Sequence, residues 1–430
     1  MTSESTVIRG VCPYGEEPVD FVIAGGVIAE IVKAGTGAGR VIDGSDLIAL
    51  PGFVDVHTHL REPGHEDAET VETGSRAAAL GGFTAVFAMA NTSPVADTAG
   101  VVEQVWHLGQ ETGLVDVIPV GAVTVGLGGE HLAELGAMAT SVAQVRMFSD
   151  DGKCVHDAAI MRRALEYVKA FDGVIAQHAQ EPRLTVDAQM NEGALSGQLG
   201  LTGWPSVAEE SIVARDVLLA EHVNSRLHVC HVSTAGSVDV IRWAKSRGIK
   251  VTAEVTPHHL LLTEDLVASY DPVYKVNPPL RTRADIAALR AALADGTIDA
   301  IATDHAPHPH EDKDCEWAAA AFGMLGLQTS FSIAVLTMID SGLLDWRALA
   351  DRMSVRPARI GHAVGHGHDL VVGVPANICV VDPAASWVVE PLTFVSKSRN
   401  SPYSGMTLPG KVVHVFKAGK ATVVDGGLAW

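Results

Sequence analysis

The sequence predicts an α/β fold, a (β/α)8 TIM barrel beside a small β-sandwich domain that both chain ends build together. Between about residues 46 and 363, a short apolar, β-rich run, a turn and an Ala/Leu/Glu-rich helical stretch recur in that order. Eight such units indicate a closed barrel of parallel strands. A doubly wound open sheet is the competing fold, but no GxGxxG sequence follows the first run.

The barrel strands and helices follow from these runs in chain order. We predict strands over 52–57, 84–89, 117–123, 144–148, 174–177, 226–231, 250–255 and 299–303. Helices are predicted between them, among others over 71–80, 160–171, 211–222, 238–247 and 286–294, where apolar residues recur at helical spacing.

The two chain ends depart from this alternation. Both the stretch VDFVIAGGVIAEIV near the start and the stretch VVHVFKAGKATVVDGG near the end resemble a strand–glycine–strand hairpin. Because chain ends often lie near one another, we expect them to share one β-sandwich. The predicted domains are therefore 1–49 with 364–430 for the sandwich, and 50–363 for the catalytic barrel.

The composition indicates which classes of partner the protein does not bind and in which cellular compartment it is expected. Of the 430 residues 47% are hydrophobic, which is enough for a large core, and the formal net charge is −20. No run of lysine or arginine occurs, which argues against a nucleic acid or an anionic membrane as partner. The five cysteines form no CxxC pair, and the N-terminal residues lack the apolar core of a signal peptide. We therefore expect a cytoplasmic protein.

Two histidines mark the first predicted barrel strand, which reads GFVDVHTHLREPG. His57 and His59 are two residues apart, so both side chains point to the same face of an extended strand. They lie at its C-terminal end, where barrel enzymes build their active sites. This pair alone is also compatible with an ordinary sheet face.

Further histidines and aspartates follow four other predicted strands. Strand 4 ends in MFSDDG with Asp150 and Asp151, strand 5 leads to His178, strand 6 reaches His231, and strand 8 leads to Asp304. In a barrel, the C-terminal ends of all strands meet at one mouth. Each residue alone has a structural explanation, but their coincidence at one level of the fold indicates a metal site.

Four histidines and two carboxylates suit Zn²⁺, and they exceed what one tetrahedral ion needs. We predict two ions, one held by His57, His59 and Asp304, the other by His178 and His231, with an aspartate of strand 4 between them. Such a pair lowers the pKa of a bridging water and polarises a facing carbonyl, and Asp304 is expected to move a proton to a leaving amide nitrogen. We interpret His228, His258 and His259 as residues that support the ligands or pack around them.

The chain resembles the dihydroorotases of the amidohydrolase superfamily, specifically the larger bacterial type, over nearly its whole length. PGFVDVHTHLREPG and ATDHAPH are similar to two signatures of that family, and AMANT, FSDDG, TPHHL and VNPPLR fall in the expected order between them. The resemblance implies the reversible closure of N-carbamoyl-L-aspartate to L-dihydroorotate in pyrimidine synthesis.

The same resemblance implies a pocket for the substrate, whose carboxylate would be held by Arg61, Asn91, Asn277 and His308, beside the ligand His59. The backbone around Phe322 and Gly323 would touch the ring. A planar guanidinium matches a carboxylate well, and an acidic protein needs such a local cation to hold a dianion. The polar stretch 306–322 is expected to act as a lid.

The resemblance matches Asp151 to the bridging ligand, whereas related hydantoinases and some dihydroorotases use a carbamylated lysine at the end of strand 4. That strand end carries no lysine here, and Lys153, two residues beyond Asp151, is the alternative bridge. Gln328 departs from the family, where a glutamate is common, and we expect no effect on the chemistry.

Two alternative functions stay open. A hydantoinase or allantoinase shares the fold and the metal pair but lacks the arginine of HLREPG. A non-catalytic dihydroorotase-like subunit that scaffolds aspartate transcarbamoylase is recognised by lost metal ligands, and all six are present here. The expected partners are a small-molecule substrate, a second copy in a homodimer and, by analogy, aspartate transcarbamoylase.

Overall fold

Strands and helices alternate through the middle of the chain, whereas both ends contribute mainly strands. The computed structural model describes residues 5–429. The first strands are β1 (Thr6–Pro13), β2 (Val19–Ala24), β3 (Val27–Lys33), β4 (Arg40–Asp43) and β5 (Ile48–Pro51). The middle strands are β6 (Phe53–Thr58), β7 (Phe83–Ala88), β8 (Asp116–Pro119), β9 (Met147–Phe148), β10 (Val174–Gln177), β11 (Met190–Asn191), β12 (Gly203–Trp204), β13 (Leu227–Val229), β14 (Val251–Val255) and β15 (Ala300–Ile301). The last strands are β16 (Ile378–Val388), β17 (Thr407–Lys417), β18 (Lys420–Val424) and β19 (Gly427–Leu428).

The α-helices surround the middle strands. They are α1 (Val71–Leu80), α2 (Ala99–Thr112), α3 (Leu135–Thr140), α4 (Ala158–Val168), α5 (Ala194–Leu199), α6 (Val207–Val223), α7 (Ala235–Ser246), α8 (Pro257–Leu261), α9 (Arg283–Asp295), α10 (His310–Lys313), α11 (Ser330–Ala334), α12 (Trp346–Ala350) and α13 (Arg356–Gly361). Two π-helical turns, Val335–Ile339 and Asp351–Val355, extend α11 and join α12 to α13. No helix of residues 5–429 combines the length and the apolarity needed to cross a membrane.

Eight parallel strands form the predicted barrel. Strands β6, β7 and β8 form one run, and β9, β10, β13, β14 and β15 form another. Parallel bridges between Gly121 and Phe148 and between Thr58 and His305 join the two runs at both edges and close the circle. Each of the eight strands overlaps the run from which we predicted it, so the predicted fold class is confirmed.

The helices begin and end where local side chains satisfy the free backbone groups. Thr70 and Thr73 form a capping box at the start of α1, and Thr282 and Asp285 form one at the start of α9. Helix α9 ends at Asp295 and is capped by Gly296, whose φ of 85° lies in the left-handed region. The helix predicted over 71–80 coincides with α1, and the other four predicted helices overlap α4, α6, α7 and α9.

Apolar side chains hold the strand ends in place. The largest cluster of buried residues packs the strands against the surrounding helices. A second cluster joins side chains of five different barrel strands, namely Val54, Phe87, Met147, Ala176 and Ala300. Close packing of this kind leaves the strands little freedom to slide, so the residues that follow them keep fixed relative positions.

The chain ends share one mixed sheet. Its strand order is β19-β18-β17-β16-β5-β1-β2-β3, and β4 pairs with β1. Both halves contribute to one apolar core that includes Ile8, Phe21, Ile378 and Phe416, as expected for a β-rich domain that both chain ends build together. Strand β5 pairs with β16 in this sheet, so the predicted boundary at residues 49 and 50 falls inside a strand. The division into two domains stays a prediction.

Candidate active site

The six residues predicted to bind metal lie at the same end of the barrel. His57 is in β6 and His59 follows just after it, while Asp151 follows β9 and Asp304 follows β15. His178 and His231 follow β10 and β13. All six residues are at most 5% exposed. Because the strands are parallel and closed into a barrel, their C-terminal ends bring these side chains together.

The Asp151 carboxylate lies at the centre of this cluster. Its Oδ1 is 3.4 Å from Nε2 of His57 and 3.2 Å from both Nδ1 of His178 and Nε2 of His231. Its Oδ2 is 3.3 Å from Nε2 of His59. One carboxylate therefore faces all four histidines, which is the position that a ligand shared by two ions needs.

Asp304 faces only one side of the cluster. Its Oδ1 lies 3.1 Å from Nε2 of His59 and 3.5 Å from Nε2 of His57. Asp304 has a φ of 46° and His231 a φ of 29°, a left-handed backbone region that non-glycine residues seldom adopt. Such conformations cluster at functional sites, where the surrounding structure holds a side chain in a required direction.

Three of the histidines are oriented by an acceptor at the ring nitrogen that points away from the cluster. His57 donates from Nδ1 to Oε1 of Glu254 at 2.6 Å, and His59 donates from Nδ1 to Oδ1 of Asn91 at 2.8 Å. His178 donates from Nε2 to Oε1 of Gln180 at 2.7 Å. A proton held at the outer nitrogen leaves the inner nitrogen with a free lone pair, as a metal ligand requires.

The charges at the cluster favour a cation. Burial works against ionisation of Asp151, yet His57, His178 and His231 hold its pKa well below the usual value. Burial likewise works against a charged His57, but Asp151, Glu254 and Asp304 raise its pKa well above the usual value. Nε2 of His57 is buried and has no hydrogen-bond partner. These donors fit one or more divalent metal ions, because the cluster combines an unpaired imidazole nitrogen with an excess of buried negative charge.

Glu254 is a functional residue that the sequence interpretation missed. Its second carboxylate oxygen accepts a hydrogen bond from Nε2 of His228 at 2.8 Å, so one acid on β14 links His57 to a histidine of β13. Burial would raise the pKa of Glu254, but His57 and His228 lower it to about 2. An acid within the buried strand VTAEV is an unusual residue choice, and this was the signal available in the sequence.

The residues predicted to hold a carboxylate lie beside the histidine cluster. The Nη2 atom of Arg61 is 3.4 Å from Nε2 of His308, which donates to the Phe322 carbonyl at 2.8 Å. Burial and the charge of Arg61 lower the pKa of His308 to about 3, so its imidazole is neutral. Gly323 has a φ of 145°, and a Cβ there would lie 2.7 Å from Nε2 of His308. Only glycine fits this position without moving the histidine.

Asn277 and Asn91 complete this side of the site. Nδ2 of Asn277 donates to Oε1 of Gln180 at 3.1 Å, the same oxygen that accepts from His178. Oδ1 of Asn277 is buried without a partner, which is costly for a polar atom unless a ligand or water pairs with it. Asn91 accepts from His59, as described above. Asn91 therefore contacts a predicted metal ligand directly, whereas Asn277 reaches the ligand His178 only through Gln180.

The stretch predicted as a lid, 306–322, contains the short helix α10 and is tied down by two lysines. Nζ of Lys313 donates to the carbonyls of Pro272, Lys275 and Ala321 at 2.9, 3.0 and 2.7 Å. Nζ of Lys275 donates to the Trp317 carbonyl at 2.7 Å. These bonds hold the stretch in one packed conformation, and its movement as a lid stays a prediction.

The remaining candidates lie away from the cluster. Lys153, the alternative bridge, is exposed on the turn after Asp151, while the Asp151 carboxylate itself faces the four histidines. Oε1 of Gln328 accepts from the backbone of Val395 at 3.0 Å, a structural contact. His259 bonds to Thr256 and to backbone carbonyls, as expected of a packing residue. The geometry favours Asp151 over Lys153 as the shared ligand.

Comparison with known sequences indicates one protein family. The family described as "Dihydro-orotase-like" matches residues 46–237. A protein of Streptomyces coelicolor named dihydroorotase is 67% identical over 424 residues, which cover 98% of this chain and 99% of the relative. A dihydroorotase of Mycobacterium tuberculosis is 58% identical over 425 residues, which cover 98% of this chain and 99% of the relative. The likeness therefore includes both the barrel and the chain ends.

Comparison with solved structures supports the fold. An L-hydantoinase (dihydropyrimidinase) from Arthrobacter aurescens superimposes with a TM-score of 0.87 at 24% identity, covering 100% of this chain and 98% of the other. A dihydropyrimidinase from Brevibacillus agri gives a TM-score of 0.86 at 21% identity, covering 99% and 96%. At these identities the likeness shows the architecture alone.

Proposed function

Since the chain belongs to the dihydroorotase family, we propose that the six converging residues at the mouth of its barrel are the active site. Its reaction is the reversible closure of N-carbamoyl-L-aspartate to L-dihydroorotate, a step of pyrimidine synthesis. It is thus a hydrolase of a cyclic amide bond. The observation that carries the site assignment is the position of one carboxylate, Asp151, against four histidines.

The proposed cofactor is Zn²⁺, with two ions in each chain. Imidazole nitrogens and carboxylate oxygens are ordinary zinc ligands, and six donors are too many for one tetrahedral ion. His57, His59 and Asp304 would hold one ion, His178 and His231 the other, and Asp151 would bridge them. When bound, such a metal pair polarises a carbonyl and lowers the pKa of a water molecule so that it can attack near neutral pH.

The chain's own residues would orient the substrate and move the proton. Asp304, with Oδ1 beside His57 and His59, would take a proton from the attacking water and deliver it to the ring nitrogen that leaves. In ring closure the same carboxylate would act in reverse. Burial works against ionisation of Asp304, but His57 and His59 lower its pKa below the usual value, so it starts as the base.

The substrate's own carboxylate would be held on the other side of the site. Arg61 offers the cation and His308 lies beside it, while Asn277 bonds to Gln180 and Asn91 bonds to His59. The backbone of Phe322 and Gly323 would contact the ring. Burial lowers the pKa of Arg61 to about 10, which leaves the guanidinium charged at neutral pH. A half-buried cation that forms no ion pair within residues 5–429 binds a carboxylate well, because it gains a charge-assisted pair there.

Arg61→Met is expected to raise KM for L-dihydroorotate by about 100-fold, because a charge-assisted bond to the substrate is lost at a half-buried site. Zinc content should stay at the wild-type level, since Arg61 is no ligand. Steady-state kinetics and metal analysis of the purified variant check both. Arg347→Met, which removes an exposed arginine paired with Glu16, is the control and should leave both unchanged. Equal losses of zinc and substrate binding in Arg61→Met would contradict the assignment.

The function is tested by following the ultraviolet absorbance of L-dihydroorotate with zinc-loaded protein, with hydantoin and allantoin measured in parallel. Selective loss of dihydroorotate is the expected result. Opening of hydantoin or allantoin with no loss of dihydroorotate would indicate a hydantoinase-type enzyme. No opening of any ring by the metal-loaded protein would indicate a non-catalytic subunit that depends on a partner.

We further propose a cytoplasmic location and a homodimer, with aspartate transcarbamoylase as a second partner by analogy with the family. The proposed location rests on the cysteine pattern and the N-terminal residues described above. Size-exclusion chromatography with light scattering checks the dimer, which a monomeric mass would contradict. Purification of the tagged chain from its own cells checks the transcarbamoylase, whose absence from the eluate would count against that partner.

A further inference from the structure

A short segment near the C-terminal end reaches the mouth of the barrel. Residues 396–400 lie between β16 and β17 of the end sheet, yet their side chains contact the loops that follow the first and last barrel strands. Asn400 is 6% exposed and has no place in the mechanism described above. The hydrogen bonds of this buried amide show which segments of the active site it holds together.

The side chain of Asn400 joins both halves of the proposed carboxylate pocket. Its Nδ2 donates to the Ala306 carbonyl at 2.9 Å and to the Gly323 carbonyl at 3.2 Å. Its Oδ1 accepts from the backbone N–H of His308 at 3.3 Å. All three polar positions of the amide are therefore used. Two bonds go to the segment that carries His308, and one goes to Gly323.

The segment that carries Asn400 is itself anchored. Glu69, fully buried, accepts from the hydroxyl of Ser396 and from the backbone N–H of Lys397 at 3.1 Å. The same carboxylate accepts from Nε2 of His305 at 3.2 Å, directly after Asp304. Ser398 donates to the Ala68 carbonyl at 2.7 Å. These hydrogen bonds therefore hold Asn400 in a fixed position.

We propose that Asn400 is a positioning residue for substrate binding, which sets the distance between His308 and Gly323 and so shapes the pocket for the substrate carboxylate. This inference rests on the proposed function, in which His308 and Gly323 line that pocket. It assigns to the C-terminal end a role in the barrel's specificity. Asn400 touches no predicted metal ligand, so its effect falls on substrate binding and not on the metals.

The test compares Asn400→Asp with wild type in the zinc-loaded full chain. Aspartate keeps the shape, but it removes both donors and places an anion beside two carbonyls and near the substrate carboxylate. We expect KM for L-dihydroorotate to rise by about 10- to 100-fold, with kcat within about threefold of wild type. Zinc content should be unchanged. Asn400→Ala, which removes the donors without adding charge, should raise KM in the same direction.

Asn377→Asp is the matched control. Asn377 also holds two backbone segments, through a donor to the Gly365 carbonyl at 2.8 Å and an acceptor for Ala418 N–H, and it lies beside Gly52 at the opposite end of the barrel. It should lower the melting temperature without changing KM. The proposal is wrong if Asn400→Asp and Asn400→Ala leave KM unchanged while Arg61→Met raises it. If Arg61→Met also leaves KM unchanged, the proposed carboxylate pocket itself is wrong.

Discussion

Asp304→Asn is expected to give a folded protein that still binds zinc but turns over L-dihydroorotate about 10²- to 10⁴-fold more slowly, the range that a lost general acid/base produces. Asparagine keeps an oxygen that can face His57 and His59, so part of the metal site survives. It can neither accept the proton of the attacking water nor pass it to the leaving nitrogen. The loss should therefore appear in kcat, measured by steady-state kinetics beside metal analysis.

Asp299→Asn is the matched control for this variant. Asp299 precedes β15 and Asp304 follows it, so the two acids lie at opposite ends of one strand. Asp299 pairs with Lys245 and Arg356 and is remote from the histidines. Its loss should lower stability and leave kcat nearly unchanged. A near-normal kcat in Asp304→Asn would contradict the proton-transfer role.

Asp151→Asn is expected to lose both metal and turnover. Its carboxylate faces all four histidines, so removing the charge weakens both proposed ion sites at once. We expect zinc affinity to fall by more than the roughly 10- to 100-fold that loss of an outer hydrogen-bond partner costs. Competition with a chromophoric chelator measures the affinity.

Lys153→Met is the control that separates the two candidate bridges. Lys153 is exposed, and its replacement should leave zinc affinity and turnover at wild-type levels. The opposite pattern, with zinc lost in Lys153→Met and kept in Asp151→Asn, would show that a modified lysine joins the ions. Circular dichroism of both variants shows whether a loss comes from the site or from unfolding.

Much of the candidate site was predictable because parallel barrel strands place their C-terminal ends together. The spacing of His57 and His59 was enough to put both on one face, and the closed barrel then brought Asp151, His178 and Asp304 to the same place. The strand runs themselves were visible as apolar segments separated by turns. For these residues, position along the chain determines position in space.

The residues that support the metal ligands and the substrate pocket could not be predicted from strand order and spacing. Glu254 orients His57 across 197 positions of sequence, and Asn400 bonds Ala306 across 94. Contacts of this kind depend on how loops and strands pack, and no periodicity in the sequence predicts them. The pairing of β5 with β16 was hidden for a related reason, since it depends on a strand from the other chain end.

Metal held by these six residues is expected to make the chain a dihydroorotate hydrolase. The most direct test strips the protein with a chelator, adds Zn²⁺ in steps and follows hydrolysis of L-dihydroorotate after each step. We expect negligible turnover without metal and a rise that levels off at two equivalents of Zn²⁺ per chain. Full turnover by the metal-free protein, or none at any level of zinc, would contradict it.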